Sequence, residues 1–468
     1  MRNDQSPAGS RPNGNPLLDG PILPKLLRLA LPNMGAMLAG SLAAVAETAY
    51  VGSLGVPALA GMAIVFPTIM LQNMLSGGAM GGGVSSAVAR ALGAGDRDRA
   101  DALAVHSFWL ALGIGITVTM VMLAAGPALF ALLGGRDAAL EAAIAFASVA
   151  FLGATGIWLV NLLAAVLRGA GDMAVPSSTL LATAALQIAV GGGLGLGLGP
   201  LPALAMPGVA AGQVFASALG SLVLIRYMRS GRAAVTLRLG SVRLERALFA
   251  DILRVGATAA IAPLQSILTI VLLNRYVAGF GATALAGFGI GTRFEFLLTP
   301  LAFAVGVAAV PLVGSAIGAG RIDRARRAAW IGAAVGGSGL AVLGVVLALV
   351  PELWAHVFTS DPATIATTAL YFGWAGPAYG FFGIGMVLYF ASMAAGRVGG
   401  MVLAGTLRLV VIAVGGALLV GADAPLWTMF ALITLGMACY GLAAVVAVLR
   451  TPWGVASTPA PVVAIEAA

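Results

Sequence analysis

Twelve apolar runs, each long enough to cross a bilayer, fill most of this 468-residue chain: about 27–51, 57–85, 102–128, 139–166, 175–197, 203–228, 250–279, 284–313, 328–350, 364–394, 400–420 and 425–449. A spanning helix needs about 20 mostly apolar residues. Hydrocarbon offers no partner for an open backbone, and the runs lack the alternation of a barrel strand, so each is predicted to be a helix. Only 9% of the residues are charged, against about 25% in a soluble domain. That balance excludes a soluble enzyme, a nucleic-acid binder, a secreted disulfide scaffold and a disordered chain. The single cysteine, Cys439, sits in an apolar run and has no partner for an intrachain disulfide.

The net charge of +8 reads as orientation rather than as a phosphate-binding surface. Sorted by the ends of the runs, 21 of the 25 basic residues fall on one side; Arg136 and Arg275 fall on the other, and Arg293 and Arg408 lie inside runs. The excess of cations on cytoplasmic loops then places both termini in the cytoplasm of a multi-pass protein of the cell (inner or plasma) membrane. The expected organisation is a flexible tail over 1–23, a six-helix lobe over 24–229, a basic cytoplasmic linker over 230–247, a second six-helix lobe over 248–450 and a flexible tail over 451–468.

The two halves resemble each other. Tyr50-Val-Gly-Ser-Leu-Gly55 and Ala58-Leu-Ala60 align with Tyr276-Val-Ala-Gly-Phe-Gly281 and Ala284-Leu-Ala286 at an offset of 226 residues. Ala91-Leu-Gly-Ala-Gly95 aligns with Ala316-Ile-Gly-Ala-Gly320 at 225, and Arg168-Gly-Ala-Gly-Asp172 falls opposite Met393-Ala-Ala-Gly-Arg397. Six helices per copy is an even number, so the repeats are parallel and related by an axis along the membrane normal. The expected fold is an all-α integral membrane protein of twelve transmembrane helices in two pseudo-symmetric lobes, an arrangement suited to alternating access.

These motifs in this order resemble the multidrug and toxic compound extrusion (MATE) transporters, and among them the DNA-damage-inducible (DinF-like) branch more than the sodium-coupled one. The resemblance runs from Leu26 to Arg450. It is carried by Leu31-Pro32, Glu47-Thr-Ala-Tyr-Val-Gly52-x-Leu-Gly55, Gly93-Ala-Gly95, Arg168-Gly-x-Gly-Asp172, Arg293-Phe-Glu295, Val313-Gly-x-x-x-Gly318-Ala-Gly320 and Gly376-Pro-x-Tyr379. It implies export of amphipathic or cationic small molecules by antiport against protons or sodium, with no cofactor beyond the coupling ion, no nucleic-acid partner and a monomer as the working unit. The family has an aspartate where this chain has Glu47, and its fifth-helix Asn and Asp appear here as Gln187 and Gly191. The sodium-coupled branch carries acids on the seventh and tenth helices. Here the seventh holds Gln265-Ser266 and the tenth run has no acid, which tilts the expectation to protons.

Charged groups inside a span cost about 2.5–3.5 kcal/mol each on insertion scales, so each needs a reason. Four stand out. Stepping back from Glu47 by fours gives Ala43, Ala39 and Gly35, a small-residue ridge that admits a neighbouring helix and turns the carboxylate into the lobe. Loss of water there disfavours the anion and suits the group to carry a proton. The competing reading is a carboxylate snorkelling to the outer interface, since Glu47 lies about 28 Å of helix beyond Arg28. Gln72, Asn73, Asn161, Gln187 and Gln213 are candidates to complete an N-lobe cation and substrate site, or to make plain interhelical hydrogen bonds. In the second lobe Arg293, Glu295 and Arg408 form a candidate charge cluster. Two residues apart, Arg293 and Glu295 cannot share a helix face, so each is expected to have a partner on another helix, with Arg408 a candidate for Glu295, in an ion-pair network or alternatively a coupling or substrate site. Met34, Met37, Met62, Met70, Met74 and Met80 offer either an adaptable cleft lining or ordinary packing.

Enzymatic readings lack their residues. His106 and His356 are the only histidines, so no His-based metal set is available, and the single lysine, Lys25, supplies no phosphate-binding loop. Gly336-Gly-Ser338-Gly339 has no base within reach of its serine. A lipid-linked saccharide flippase on the same plan, and a major-facilitator carrier, remain as alternatives. The loop Leu92-Gly-Ala-Gly-Asp96-Arg-Asp-Arg99 lacks the glycine and spacing of the latter's cytoplasmic signature.

Overall fold

The computed structural model describes residues 15–240 and 243–453. Residues 1–14 and 454–468, the greater part of the two expected tails and the site of Arg2 and Arg11, lie outside the described residues. The spanning helices are α1 (Ile22–Ser53), α2 (Val56–Gly93), α3 (Arg97–Leu132), α4 (Asp137–Leu152 with Ala154–Gly169), α5 (Ala174–Leu196), α6 (Ala205–Arg229), α7 (Arg246–Ala278), α8 (Ala282–Gly318), α9 (Ile322–Leu349), α10 (Pro362–Ala394), α11 (Gly399–Gly421) and α12 (Leu426–Arg450). Among the described residues eleven helices are continuous and long and apolar enough to span, and α4, bent by 47° at Gly153, makes the twelfth when its two pieces count as one span. A Cβ at Gly153 would lie 2.7 Å from the Val214 side chain of α6, so glycine is what allows the bend there. The carbonyls loosened by the bend need partners in a membrane interior. Thr119 Oγ1 donates to Phe151 O at 2.7 Å and Ser221 Oγ to Gly156 O at 3.0 Å. A second irregularity is a π-helical turn over Met74–Met80 of α2. Asp361 caps α10, accepting from the backbone N–H and the hydroxyl of Thr364, and these bonds hold its carboxyl below the usual aspartate range.

The internal repeat is built into local geometry. Gly55 and Gly281 occupy equivalent turns at φ 107° and 101°, and Gly95 and Gly320 do the same at 80° and 71°. Tyr50 covers Gly192 of α5 in the first lobe, and Tyr276 covers Gly416 of α11 in the second. The repeat axis passes where α2 and α8 cross: Gly93 sits against the Ser315 carbonyl while its repeat mate Gly318 sits against the Arg90 carbonyl. A side chain at either glycine would drive backbone into backbone.

The apolar cores show how the lobes are related. Farthest from the termini they are separate. One runs from Val51 through Phe130 and Phe146 to Ala210; the other runs from Leu273 through Phe288 and Tyr371 to Met437. At the termini end they merge. Leu26, Leu29 and Ala30 of α1 share a core with α8, α9 and α10, while Leu248 and Ile252 of α7 pack into the first lobe. The two lobes therefore join at one end and stand apart at the other.

Two polar clasps reinforce the joined end. Asp251 of α7 accepts from Arg90 Nη2 at 2.9 Å and Arg99 Nη2 at 3.0 Å, both from the opposite lobe, and Arg90 Nη1 also donates to Ala394 O of α10 at 3.1 Å. The repeat mate of Arg99 is Arg324, and it too reaches across to the segment leading into the other lobe. Its guanidinium donates to Gly20 O at 3.0 Å and Leu17 O at 2.9 Å. Arg321 adds a 3.0 Å pair to Asp19. Residues 17–20, expected as part of a flexible tail, are thus held against α9, with Leu17 and Leu18 packed on the shared core. The linker is also anchored rather than loose: Val235 and Leu237 are buried in the first lobe, and Thr236 N donates to Asp101 at 2.7 Å. His106, fully buried, accepts from the Glu245 backbone N–H at 2.7 Å.

Close helix approach gives a stability prediction. A Cβ at Gly212 of α6 would stand 2.5 Å from Gly191 N and 2.6 Å from Gln187 O, both backbone atoms of α5. Gly212→Ala is expected to destabilise by about 1–3 kcal/mol, seen as a lower melting temperature in detergent. Gly113→Ala on α3, where nothing lies within 4 Å, is expected to be neutral or stabilising by about 0.5–1 kcal/mol through helix propensity.

Candidate substrate and cation site

Glu47 lies six residues from the end of α1 and is buried in the first lobe, 6% exposed. Its Oε1 accepts from Gln187 Nε2 of α5 at 2.7 Å. No other protein donor reaches the carboxylate among the described residues, so one oxygen stays available to a proton or a cationic ligand. The buried stripe of α1 holds Asn33, Ala36, Ala43 and Glu47; Gly35, expected on it, faces open space. Leu42 and Val45 point outward as expected. The correction follows from packing against α5 and α8 together, which rotates the buried stripe in the lower half of the helix away from the simple step of four.

Of the polar candidates only Gln187 joins Glu47. Asn161 Nδ2 of α4 donates to Ser76 Oγ in the π-turn of α2 at 2.8 Å, and Asn73 Nδ2 donates back to Ile69 O on its own helix. Gln72 is buried with its Oε1 unpartnered, and half-buried Gln213 makes no hydrogen bond among the described residues. The π-turn faces the second lobe through Gly78, 3.4 Å from Phe303 in the position a Cβ would take. Met62 and Met80 are core residues, Met80 against Gly256.

The second-lobe trio is not an ion-pair network. Among the described residues no ion pair includes Arg293, Glu295 or Arg408. Glu295 accepts instead from the Tyr371 hydroxyl of α10, inside a cluster where Tyr371 meets Phe288 and Phe430 edge-on at 5.6 Å and 5.4 Å. Arg408 lies near enough for its charge to act on Glu295, while its guanidinium stacks 5.7 Å over Phe382. Exposed Arg293 sits 5.1 Å over Phe358. Aromatic faces, good partners for a delocalised cation, take the place of the expected carboxylate. Tyr371 and Asn33 were the residues pattern alone passed over. Tyr371 stands two helical turns before the motif residue Tyr379, on the same face, and Asn33 is fully buried with neither amide atom hydrogen-bonded among the described residues.

Twelve spanning helices in two repeated lobes, joined at one end and holding a buried carboxylate away from it, define a multi-pass membrane protein of the two-lobe transporter type. Residues 32–191 and 259–419, one stretch in each lobe, match the MatE family, and the chain belongs to that family of transporters. It is 28% identical over 359 residues to a probable multidrug resistance protein NorM of Thermotoga maritima, covering 75% of each chain. It is 26% identical over 389 residues to a FAD transporter of Shewanella oneidensis, covering 80% of this chain and 82% of that one. A crystal structure of MATE in the straight conformation superposes with a TM-score of 0.83 at 25% identity, over 92% of this chain and 96% of the other.

Proposed function

We propose that this protein is a secondary active exporter of amphipathic, cationic small molecules, working by proton antiport through Glu47. The observation that carries the reading is the burial of Glu47 inside the first lobe with Gln187 as its one hydrogen-bond partner among the described residues. A lone carboxylate in that setting can hold either a proton or a cationic cargo. Proton entry from outside then releases the cargo, and by reciprocity cargo binding from inside releases the proton. The positive-inside pattern supports placing the joined end of the lobes in the cytoplasm, and on that reading the lobes part toward the outside. The multidrug resistance relative supports drug-like cargo. Gln265, at the position where the sodium-coupled branch has an acid, is engaged with Thr406 at 2.8 Å, which favours protons and the DNA-damage-inducible branch. A monomer suffices, since both lobes are in one chain. The flippase alternative gains nothing from Arg293 and Arg408, each over its own ring rather than gathered for a phosphate.

The test is accumulation of a cationic dye in everted vesicles carrying an imposed pH gradient, acid inside. Uptake that follows the gradient and collapses with a protonophore supports the reading. Vesicles that move a lipid-linked saccharide but no dye would replace it with the flippase.

A further inference from the structure

Arg168, one residue from the end of α4, is 3% exposed, and its guanidinium makes no hydrogen bond or ion pair among the described residues. Asp172, four residues on, is engaged with the Tyr227 hydroxyl at 3.1 Å and with Val175 N at 3.2 Å. Asp251 is taken by Arg90 and Arg99, and Asp101 by the backbone of Thr236. The side chain runs back along α4 into the protein, as helical side chains lean toward the N-terminus. Gly169 lies level with Ser85 of α2, where a Cβ would stand 2.5 Å from Ser85 O. Arg168 Nη2 reaches one turn deeper, to 3.8 Å from where a Cβ on Gly81 would be. That glycine leaves a gap beside the guanidinium. Ser85 stands one turn from Gly81 on the same face of α2. Its hydroxyl is buried without a hydrogen-bond partner among the described residues, whereas Ser86 beside it donates to Gly83 O at 2.8 Å.

We propose that Arg168 and Ser85, with the gap at Gly81, form a binding site for chloride between α2 and α4. Both groups are donors. A guanidinium keeps its charge at any working pH and offers five N–H groups, and a buried charge left without a partner is strongly destabilising. The pair therefore calls for an acceptor that carries negative charge. The gap decides which one, because the space of a missing methyl group suits a single-atom anion, whereas phosphate or a carboxylate needs more room. The same turn of α2 carries the contact between lobes: Gly82 meets Met393 of α10, and Gly83 meets Ile252 O and Gly256 of α7. Chloride at this place neutralises a cation packed into the joined end of the lobes. The site is independent of Glu47, and rests on the fold rather than on the coupling mechanism.

The experiment is equilibrium dialysis of the purified full chain against radiolabelled chloride, with sodium gluconate holding the ionic strength constant. The wild type is expected to bind a single saturable chloride per chain, and Arg168→Gln to abolish that binding. Ser85→Ala is expected to raise the half-saturating concentration about tenfold, through loss of one hydrogen bond to a charged group. Gly81→Ala, which places a methyl group in the gap and keeps both donors, weakens binding as well. Removing exposed charge at the end of α6 (Arg226→Gln, Arg229→Gln) leaves it unchanged. Absence of saturable chloride binding by the wild type overturns the proposal, as does binding that survives Arg168→Gln. If Arg168→Gln does not survive purification, the other two variants decide, and unchanged half-saturation in both overturns it. Displacement of chloride by equimolar phosphate, with Gly81→Ala binding as the wild type does, would mark a wider anion site and overturn it too.

Discussion

Glu47→Gln is expected to cut export driven by a pH gradient by about 5–150-fold, the range of coupling energies of 1–3 kcal/mol, while leaving the fold intact. Glutamine keeps the length of the side chain and can still accept from Gln187, whose amide stands 2.7 Å from the carboxylate oxygen. What it cannot do is exchange a proton. The variant should still bind a cationic dye, more weakly, and should no longer release it when the outside is acidified. Glu47→Asp restores the acid found in the family but draws it back by one methylene from Gln187. Partial activity is expected there, with a melting temperature below that of the wild type. If Glu47→Gln exports as the wild type does, the coupling group lies elsewhere, and Glu295 with its Tyr371 bond becomes the place to look.

Asp251→Asn is expected to produce the second large effect, on conformation rather than on ion binding. Asp251 is the only acid joined to Arg90 and Arg99 among the described ion pairs, and both arginines reach it across the lobe boundary. Removing its charge leaves Arg90, mostly buried, without a counter-ion at the closed end. Hydrogen bonds to charged groups contribute about 1.5–3 kcal/mol each. Arg99 is 41% exposed, so its share falls at the lower end typical of exposed pairs. A shift of about 1–3 kcal/mol would change the ratio of the two carrier states by about 5–150-fold. The single cysteine makes the measurement direct. In a Cys439→Ser background, spin labels at Ser53→Cys and Ser360→Cys, on the far ends of opposite lobes, should show a new short-distance population in Asp251→Asn. An unchanged distance distribution would mean that the shared apolar core, and not the clasp, holds the closed end.

The spanning helices and the repeat were legible because both are one-dimensional signals. Run lengths gave each span to within eight residues at either end, and repeated turn glycines such as Gly55 and Gly281 need a backbone that other residues avoid. That Glu47 is buried was legible for a related reason: an acid in an apolar span has few options. Partners were not legible. Gln187 is 140 positions from Glu47 and Asp251 is 161 from Arg90, and no local period connects them. For the same reason the second-lobe charges were assigned to one another when Tyr371, Phe358 and Phe382 were available. The bend at Gly153 and the π-turn at Met74–Met80 were also hidden, since both depend on what packs opposite them.

Ion dependence of efflux from proteoliposomes, with purified protein and a cationic dye, tests the central claim most directly. A proton gradient alone is expected to drive export, and a sodium gradient at constant pH to drive none. Export powered by sodium with the pH clamped, or export indifferent to both gradients, would contradict Glu47 as a proton-coupling acid.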